Sequence, residues 1–245
     1  MLARQKIVLA LLDSAAKPLS RTMFVKLSFL LRAETDVGED SAFYDFVPYQ
    51  FGPFSFVLYR EFEALKQQSY VVEDHDRFSL AKPMAGEVRR LIGDLPTSVR
   101  SSVGHIASRY ASKTQRALVR DVYARYPWYA TKSELVDLLP PTMPPLPTAS
   151  LAVFTVGYER ISVDALFDRL LHAGIRGIAD VRANPISRKY GFARTSLSGI
   201  AAKLGLAYRH FPQLGIPSEE RSALGGYSSY QCVASDGNGV FRRVG

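Results

Sequence analysis

The sequence has little cysteine and histidine, and this scarcity removes several classes of site. One cysteine, Cys232, stands among 245 residues, so neither an intramolecular disulfide nor a cysteine-based zinc site can form. The four histidines are far apart and show no metal-ligand spacing, so we expect no metal and no cofactor. No apolar run approaches about 18 residues, the length that a membrane-spanning helix needs. We therefore expect no membrane partner.

The N-terminus also lacks the pattern of a signal peptide. Its apolar stretch from Ile7 to Leu12 is short, and Asp13 follows directly. We interpret this stretch as the first turns of a helix and expect a cytoplasmic protein.

Positive charge exceeds negative charge, and the excess is denser in the second part of the chain. Residues 1–150 carry 19 Lys and Arg against 16 Asp and Glu, and the remainder carries 12 against 7. Most cations of the second part are arginines, which suit bidentate contacts to phosphate or carboxylate. This balance is compatible with nucleic-acid or phosphate binding, although many ordinary proteins share it.

A proline-rich segment divides the chain, because five prolines within Pro140–Pro147 exclude a helix interior or a central strand. The predicted fold class is α/β, with an N-terminal helical winged-helix-like domain and a C-terminal incomplete Rossmann-like three-layer parallel sheet. We predict five segments: a winged-helix-like domain (1–92), a helical extension (93–139), a Pro-rich linker (140–150), a Rossmann-like domain (151–225) and an irregular tail (226–245).

The N-terminal prediction comes from three helical patterns followed by a short hairpin. Pro18 ends the first helix, Ser20 can cap the second, and the third begins near Ser55 after the aromatic loop 44–54. Two β-prone runs, 70–72 and 78–80, then indicate a hairpin. Further helical periodicity covers residues 86–139. Its regularly placed cations form either a solvated basic face or a nucleic-acid contact face.

Residues 5–90 also resemble a known group, the Panacea-type antitoxins and related winged-helix proteins. The resemblance is carried by Lys26–Leu31, Phe43–Tyr49 and Phe51–Pro53, although Ser69 stands where that pattern has glycine. It implies a small helical module that binds a protein or a nucleic acid.

After the proline-rich segment, strand and helix patterns alternate. We predict strands over 151–156, 177–182 and 206–211, with helices over 163–171 and 196–204 between them. This order favours a parallel sheet, whose ligands bind beyond the carboxyl ends of the strands. The candidate ligand-binding residues at that edge are Gly157, Tyr158, Asp180, Arg182, Ser187, Arg188 and His210.

Each candidate residue also has a structural interpretation. Asp180 and Arg182 share a strand face and form either a structural ion pair or part of a site. Ser187 and Arg188 lie in a loop that either binds phosphate or is simply solvated, and Gly157 either admits a close backbone approach or turns the chain. His210 is either a structural histidine or an anion contact.

The same region resembles the domain of unknown function 488 family. The matching segments are Phe154–Tyr158, Asp180–Arg182 with Pro185 and Ser187, Phe192, and Tyr208–Gly215. The resemblance implies a Rossmann-like fold and supplies no activity. The family continues with Cys-x-Glu and Cys-His-Arg motifs that this chain lacks, so we expect a truncated or frameshifted end.

The leading hypothesis is a nucleic-acid-associated protein with a phosphate-binding crevice at the strand ends. The alternative is an antitoxin-like protein-interaction module without catalytic activity, which docks through the aromatic loop 44–54. A third possibility is an enzyme that is disabled in this chain. No catalytic residue can be assigned, so the sequence leaves open whether the protein is an enzyme.

Overall fold

The computed structural model describes residues 1–40 and 42–215. The predicted tail over 226–245 and Cys232 lie outside these residues. Contacts between Cα atoms divide the chain into two units. Unit 1 comprises Met1–Pro147 and Ile161–His172, and unit 2 comprises Thr148–Arg160 and the chain from Ala173 onward.

Unit 1 is mainly helical and carries two small antiparallel sheets. One sheet has the strand order β1 (Leu19–Ser20), β5 (Arg77–Leu80), β4 (Val71–Asp74), and the other pairs β2 (Val47–Tyr49) with β3 (Gly52–Phe54). The elements, in chain order, are α1 (Ala3–Ala15), β1 (Leu19–Ser20), α2 (Arg21–Glu34), β2 (Val47–Tyr49), β3 (Gly52–Phe54), α3 (Phe56–Gln67), β4 (Val71–Asp74), β5 (Arg77–Leu80), α4 (Ala85–Gly93), α5 (Thr97–Tyr110), α6 (Gln115–Arg125) and α7 (Val163–His172).

The helix starts follow from capping side chains. The Ser20 hydroxyl accepts a hydrogen bond from the Met23 backbone N–H, and the Ser55 hydroxyl accepts one from Leu58, which satisfies donors that a helix start otherwise leaves unpaired. The predicted starts of α2 and α3 are confirmed. Residues 23–31 of α2 are all buried, so this helix runs through the centre of the core of unit 1.

The predicted hairpin is confirmed as the antiparallel pair β4 and β5. Its two-residue turn, His75 and Asp76, has positive φ at both positions, the geometry that a tight hairpin with right-handed strand twist requires. The aromatic loop predicted over 44–54 contains a second hairpin, β2–β3, in which Pro48 pairs with Pro53. Prolines usually argue against strands, and in this case they occupy a two-stranded ribbon with few ladder hydrogen bonds to lose.

Helix α7 belongs to unit 1 by its contacts, although the sequence placed it in the α/β domain. Its buried Asp164 accepts hydrogen bonds from the Ser55 hydroxyl (2.9 Å) and from the backbone N–H groups of Phe56 (2.8 Å) and Val57 (3.0 Å). A carboxylate at the N-terminus of α3 satisfies unpaired donors and complements the helix dipole. The apolar periodicity predicted this helix but could not say which core it would join.

Unit 2, in its described part, contains the elements β6 (Gly177–Asp180), α8 (Arg194–Lys203) and β7 (Ala207–His210). Strands β6 and β7 pair in parallel, as the sequence predicted. Helix α8 packs against β7, and its residues Leu197, Ile200 and Ala201 are buried.

The prediction of a strand over 151–156 is wrong for this structure. The segment has no strand hydrogen-bond ladder and its apolar side chains are exposed, Val153 by 90%. An apolar run forms a strand only where a neighbouring strand edge pairs with its backbone, and none does so in residues 1–40 and 42–215. Without this strand and α7, the described part of unit 2 does not have the three layers that the sequence predicted.

Candidate functional site

The candidate site lies where the two parallel strands end. In the register of β6 and β7, Asp180 stands opposite His210 and Ile178 stands opposite Tyr208. Because paired residues on parallel neighbours point to the same face, Asp180, Tyr208 and His210 share one side of the sheet. The structure thus brings together three groups from segments about 30 residues apart in sequence.

Asp180 and Arg182 form a bidentate ion pair. The Arg182 Nε donates to Asp180 Oδ1 over 2.8 Å, and Nη2 donates to Oδ2 over 2.5 Å. Asp180 is only 6% exposed. Burial by itself would raise the pKa of this carboxyl, but the hydrogen bonds from Arg182 and Tyr208 outweigh burial and lower the pKa to about 2. Asp180 is therefore ionised at neutral pH and neutralises Arg182.

Arg182 also connects the end of β6 to the loop before α8 through a hydrogen bond. Its Nη1 donates to the Phe192 carbonyl over 2.8 Å, and its Cζ lies 5.5 Å from the centroid of the Tyr158 ring. The Tyr158 ring in turn stacks on the ring of Phe192, with centroids 4.6 Å apart. Hydrogen bonding to Asp180 raises the pKa of Arg182. Arg182 is thus a positioning residue with most of its donors already engaged.

The second strand contributes two polar side chains to the same cluster. The Tyr208 hydroxyl donates to Asp180 Oδ2 over 2.6 Å, and burial together with this bond raises the pKa of Tyr208 to about 12. His210 Nε2 lies 2.8 Å from the Arg182 carbonyl oxygen, so the tautomer that is protonated at Nε2 donates to it. His210 therefore has a backbone partner.

The remaining predicted residues lie in loops of unit 2. Gly157 is exposed, and a Cβ placed on it would meet no atom within 4 Å, so no close backbone approach requires glycine there. The Ser187 hydroxyl accepts a hydrogen bond from the Lys189 N–H, and the Lys189 ammonium donates to the Tyr158 carbonyl over 3.0 Å. Arg188 is exposed and has no ionic or hydrogen-bond partner among the described residues.

The sequence-based set missed the start of α8. The Arg194 N–H donates to the Pro185 carbonyl over 3.0 Å, which holds the loop 185–189 against this helix start. Helix α8 has Ala193 at its N-cap, no capping side chain and no acidic residue in its first turn. Its N-terminal N–H groups therefore stand close to a basic loop. The helix begins at Arg194, two residues before the start that the sequence predicted.

One comparison with known proteins gave a match, and it covers part of unit 2. A family model, "Domain of unknown function DUF488", matches residues 162–233, which is less than a third of the chain. No curated protein and no solved structure matches the chain. The match supports the resemblance stated for the C-terminal region, whereas the resemblance of residues 5–90 to the antitoxin group stays a prediction.

Two further observations concern the described residues. The described residues include no helix of the length and apolarity that crossing a bilayer requires. Within 1–40 and 42–215, no group of three or more His, Cys, Asp and Glu side chains is arranged to hold a metal ion.

Proposed function

We propose that this protein binds nucleic acid through unit 2, with phosphate contacts at the edge where β6 and β7 end. The observation that carries the proposal is uncompensated positive charge. Within 148–160 and 173–215, eight residues are Lys or Arg and two are Asp or Glu. Asp180, one of these two carboxylates, is occupied by Arg182. Apart from this pair, seven cations face one carboxylate, Glu159, within these ranges, and the excess of positive charge attracts a polyanion.

The loop 185–189 and the start of α8 supply the contacts in this proposal. Arg188 and Arg194 are exposed, and neither has a carboxylate partner among the described residues. Guanidinium groups beside the N-terminal N–H groups of a helix suit phosphate oxygens. The Rossmann-like interpretation, supported by the parallel pair and by α8, places ligands at this same edge.

Asp180 and Arg182 then have a supporting role. They hold the end of β6 against Phe192 and so determine where the basic loop stands relative to α8. His210 strengthens the same connection through the Arg182 carbonyl. Of the ligand-binding candidates from the sequence, this proposal keeps Arg188 as a phosphate contact, adds Arg194, and gives Arg182 a positioning role instead.

Unit 1 supports a winged-helix interpretation, but the tip of its β4–β5 hairpin carries exposed acidic residues. Apart from the β2–β3 hairpin, which lies between α2 and α3, the order α1-β1-α2-α3-β4-β5, with β1 beside β5 and β5 beside β4, is the order of that fold. The tip of the β4–β5 hairpin, which would be the wing, exposes Asp74 and Asp76. These carboxylates repel phosphate, so we assign the nucleic-acid contact to unit 2.

The test is fluorescence anisotropy of labelled single-stranded and duplex DNA and RNA with the full chain over a salt series. The double variant Arg188→Glu with Arg194→Glu should weaken binding at low salt by about tenfold or more. It should also reduce the slope of log K against log salt by about 2. The matched control is Arg109→Glu with Arg120→Glu, two exposed arginines of the basic face of α5 and α6 in unit 1.

The control variant should bind within about twofold of the wild-type chain, because its two arginines make no phosphate contact in this proposal. Loss of a contact made by two arginines would weaken binding by far more than twofold. Absence of salt-sensitive binding by the wild-type chain would refute the proposal. An equal loss in both double variants, or a loss in the control alone, would also refute the assignment to unit 2.

A second candidate function, docking of a protein partner on unit 1, is favoured by one observation. Phe51, at the turn of the β2–β3 hairpin, is 47% exposed, whereas Phe43, Tyr44 and Phe46 of the same aromatic loop are buried. If the loop docks a partner, Phe51→Ala should abolish a stoichiometric complex while Val72→Ala, an equally exposed apolar residue, leaves it intact. Loss in both variants, or in neither, would refute this function.

A further inference from the structure

Unit 1 contains a cavity that is separate from the candidate nucleic-acid site. Its volume is about 510 Å³, within the range of small-molecule sites. It lies beside the β2–β3 hairpin and the first turns of α2. Much of its wall is aromatic or apolar, formed by Val25, Tyr49, Phe51, Phe54 and Tyr59. Such a wall suits a planar apolar group of a ligand.

One wall of this cavity carries a buried lysine. Lys26 is 1% exposed, and its Nζ donates to the Pro53 carbonyl over 3.1 Å. An ammonium has three N–H donors, and no carboxylate among the described residues forms an ion pair with this one. Lysines are almost never fully buried unless they are paired. Burial lowers the pKa of Lys26 to about 7, so the amine can change charge near neutral pH.

The other ionisable groups of the cavity do not neutralise Lys26. Arg21 donates to Glu73 and to the Tyr59 hydroxyl, and its Nε lies 3.8 Å from Asp76 Oδ1. Among the described residues that line the cavity, Asp76 is the single carboxylate, and it lies near Arg21. In the part of the chain that the structure describes, the cavity therefore holds a second cation that is already paired, and no carboxylate forms an ion pair with Lys26.

A purely structural role explains Lys26 incompletely. A hydrogen bond to one backbone carbonyl needs a single donor, and it does not compensate for burying an ammonium with two further N–H groups. An anion in the cavity would accept from those N–H groups and would remove the cost of the buried charge. The aromatic wall would bind the remainder of the same ligand.

We infer that this cavity binds a small aromatic monocarboxylate, whose carboxylate accepts hydrogen bonds from Lys26 and whose ring packs among Tyr49, Phe51 and Phe54. A phosphate group fits less well, because it would bring more charge than one unpaired ammonium can neutralise. The inference concerns unit 1 and does not depend on the proposed function of unit 2.

The test compares two ligands of nearly equal shape, indole-3-carboxylate and the neutral indole-3-carboxamide, by calorimetric titration into the full chain at pH 6.5. At this pH, about half a unit below the pKa of Lys26, the ammonium form of Lys26 predominates. The carboxylate should bind at least about tenfold more tightly than the carboxamide, the margin that one charge-assisted hydrogen bond provides. Lys26→Met should abolish that preference. The control Lys132→Met, at a partly buried lysine outside the cavity lining, should retain it.

A second measurement covers the case in which Lys26→Met fails to fold. In wild-type chain with ¹³C-labelled lysine, the Lys26 Cε resonance should titrate at a higher pH when indole-3-carboxylate is bound, and the carboxamide should leave the titration unchanged. Three results would each overturn the inference: equal affinity for the two ligands, a preference that survives in folded Lys26→Met, or no detectable binding of the carboxylate.

Discussion

The buried amine of Lys26 makes a quantitative prediction about stability and pH. Its pKa is lowered from 10.5 in the unfolded chain to about 7 in the folded chain by burial. Between these two values the unfolded chain binds more protons, so folding becomes more favourable as pH rises. The slope approaches about 1.4 kcal/mol for each pH unit in the middle of this window. Integrated from pH 7 to pH 9, the gain is about 2 kcal/mol.

Lys26→Met removes this contribution and keeps a side chain of similar length. The free energy of unfolding of the wild-type chain, relative to Lys26→Met, should therefore rise by about 2 kcal/mol between pH 7 and pH 9. At pH 7 the variant should be at least as stable as the wild-type chain, because it no longer buries an amine with one partner.

Urea unfolding followed by tryptophan fluorescence measures this difference. Trp128, the single tryptophan of the sequence, lies in unit 1 and donates through Nε1 to Asp168, so its emission reports the unit that contains Lys26. Groups that titrate in both chains cancel in the comparison. A stability difference that does not change between pH 7 and pH 9 would refute the argument that burial perturbs Lys26.

Three further predictions concern other parts of the molecule. Burial raises the pKa of Asp164 to about 7, so stability should fall as pH rises from about 4 to 7, and Asp164→Asn should remove that fall in urea titrations. Gly52→Ala should lower the free energy of unfolding by about 2 kcal/mol or more, because φ is +92° and the new Cβ would lie 2.4 Å from the Tyr123 ring. Asp180→Asn should destabilise unit 2 by about 3 kcal/mol, measured by hydrogen exchange of β6 and β7, whereas Arg182→Lys should cost less, since a lysine still supplies a cation. A neutral effect of Gly52→Ala or Asp180→Asn, or an unchanged pH slope in Asp164→Asn, would contradict the corresponding argument.

Local chemistry was sufficient for much of the secondary structure. Ser20 and Ser55 predicted the starts of α2 and α3, because a hydroxyl before an apolar-periodic run accepts a hydrogen bond from the new helix. The parallel pairing of β6 and β7 followed from continuous apolar strands separated by a helix. The contact between Asp180 and Arg182 followed from the two-residue period of a strand.

Other features depend on partners that are distant in sequence. The run 151–156 has the composition of a strand but no neighbouring edge, and α7 packs in unit 1 because Asp164 reaches the start of α3, more than a hundred residues earlier. The sequence offered one signal for the cavity, since Lys26 is the one charged residue within the mainly apolar stretch 23–31 of α2, but it did not indicate what faced this lysine.

The sequence by itself determined where the helices and most strands form, which residues reach the strand ends, and how positive charge is distributed, since these depend on near neighbours and composition. Tertiary structure alone decided that Arg182 is occupied by Asp180 and Phe192, that Arg188 stands free among the described residues, and that Lys26 faces a cavity without a carboxylate partner. Hydrogen-bond satisfaction and burial are properties of the surroundings of a group, and those surroundings exist only once distant segments have packed together.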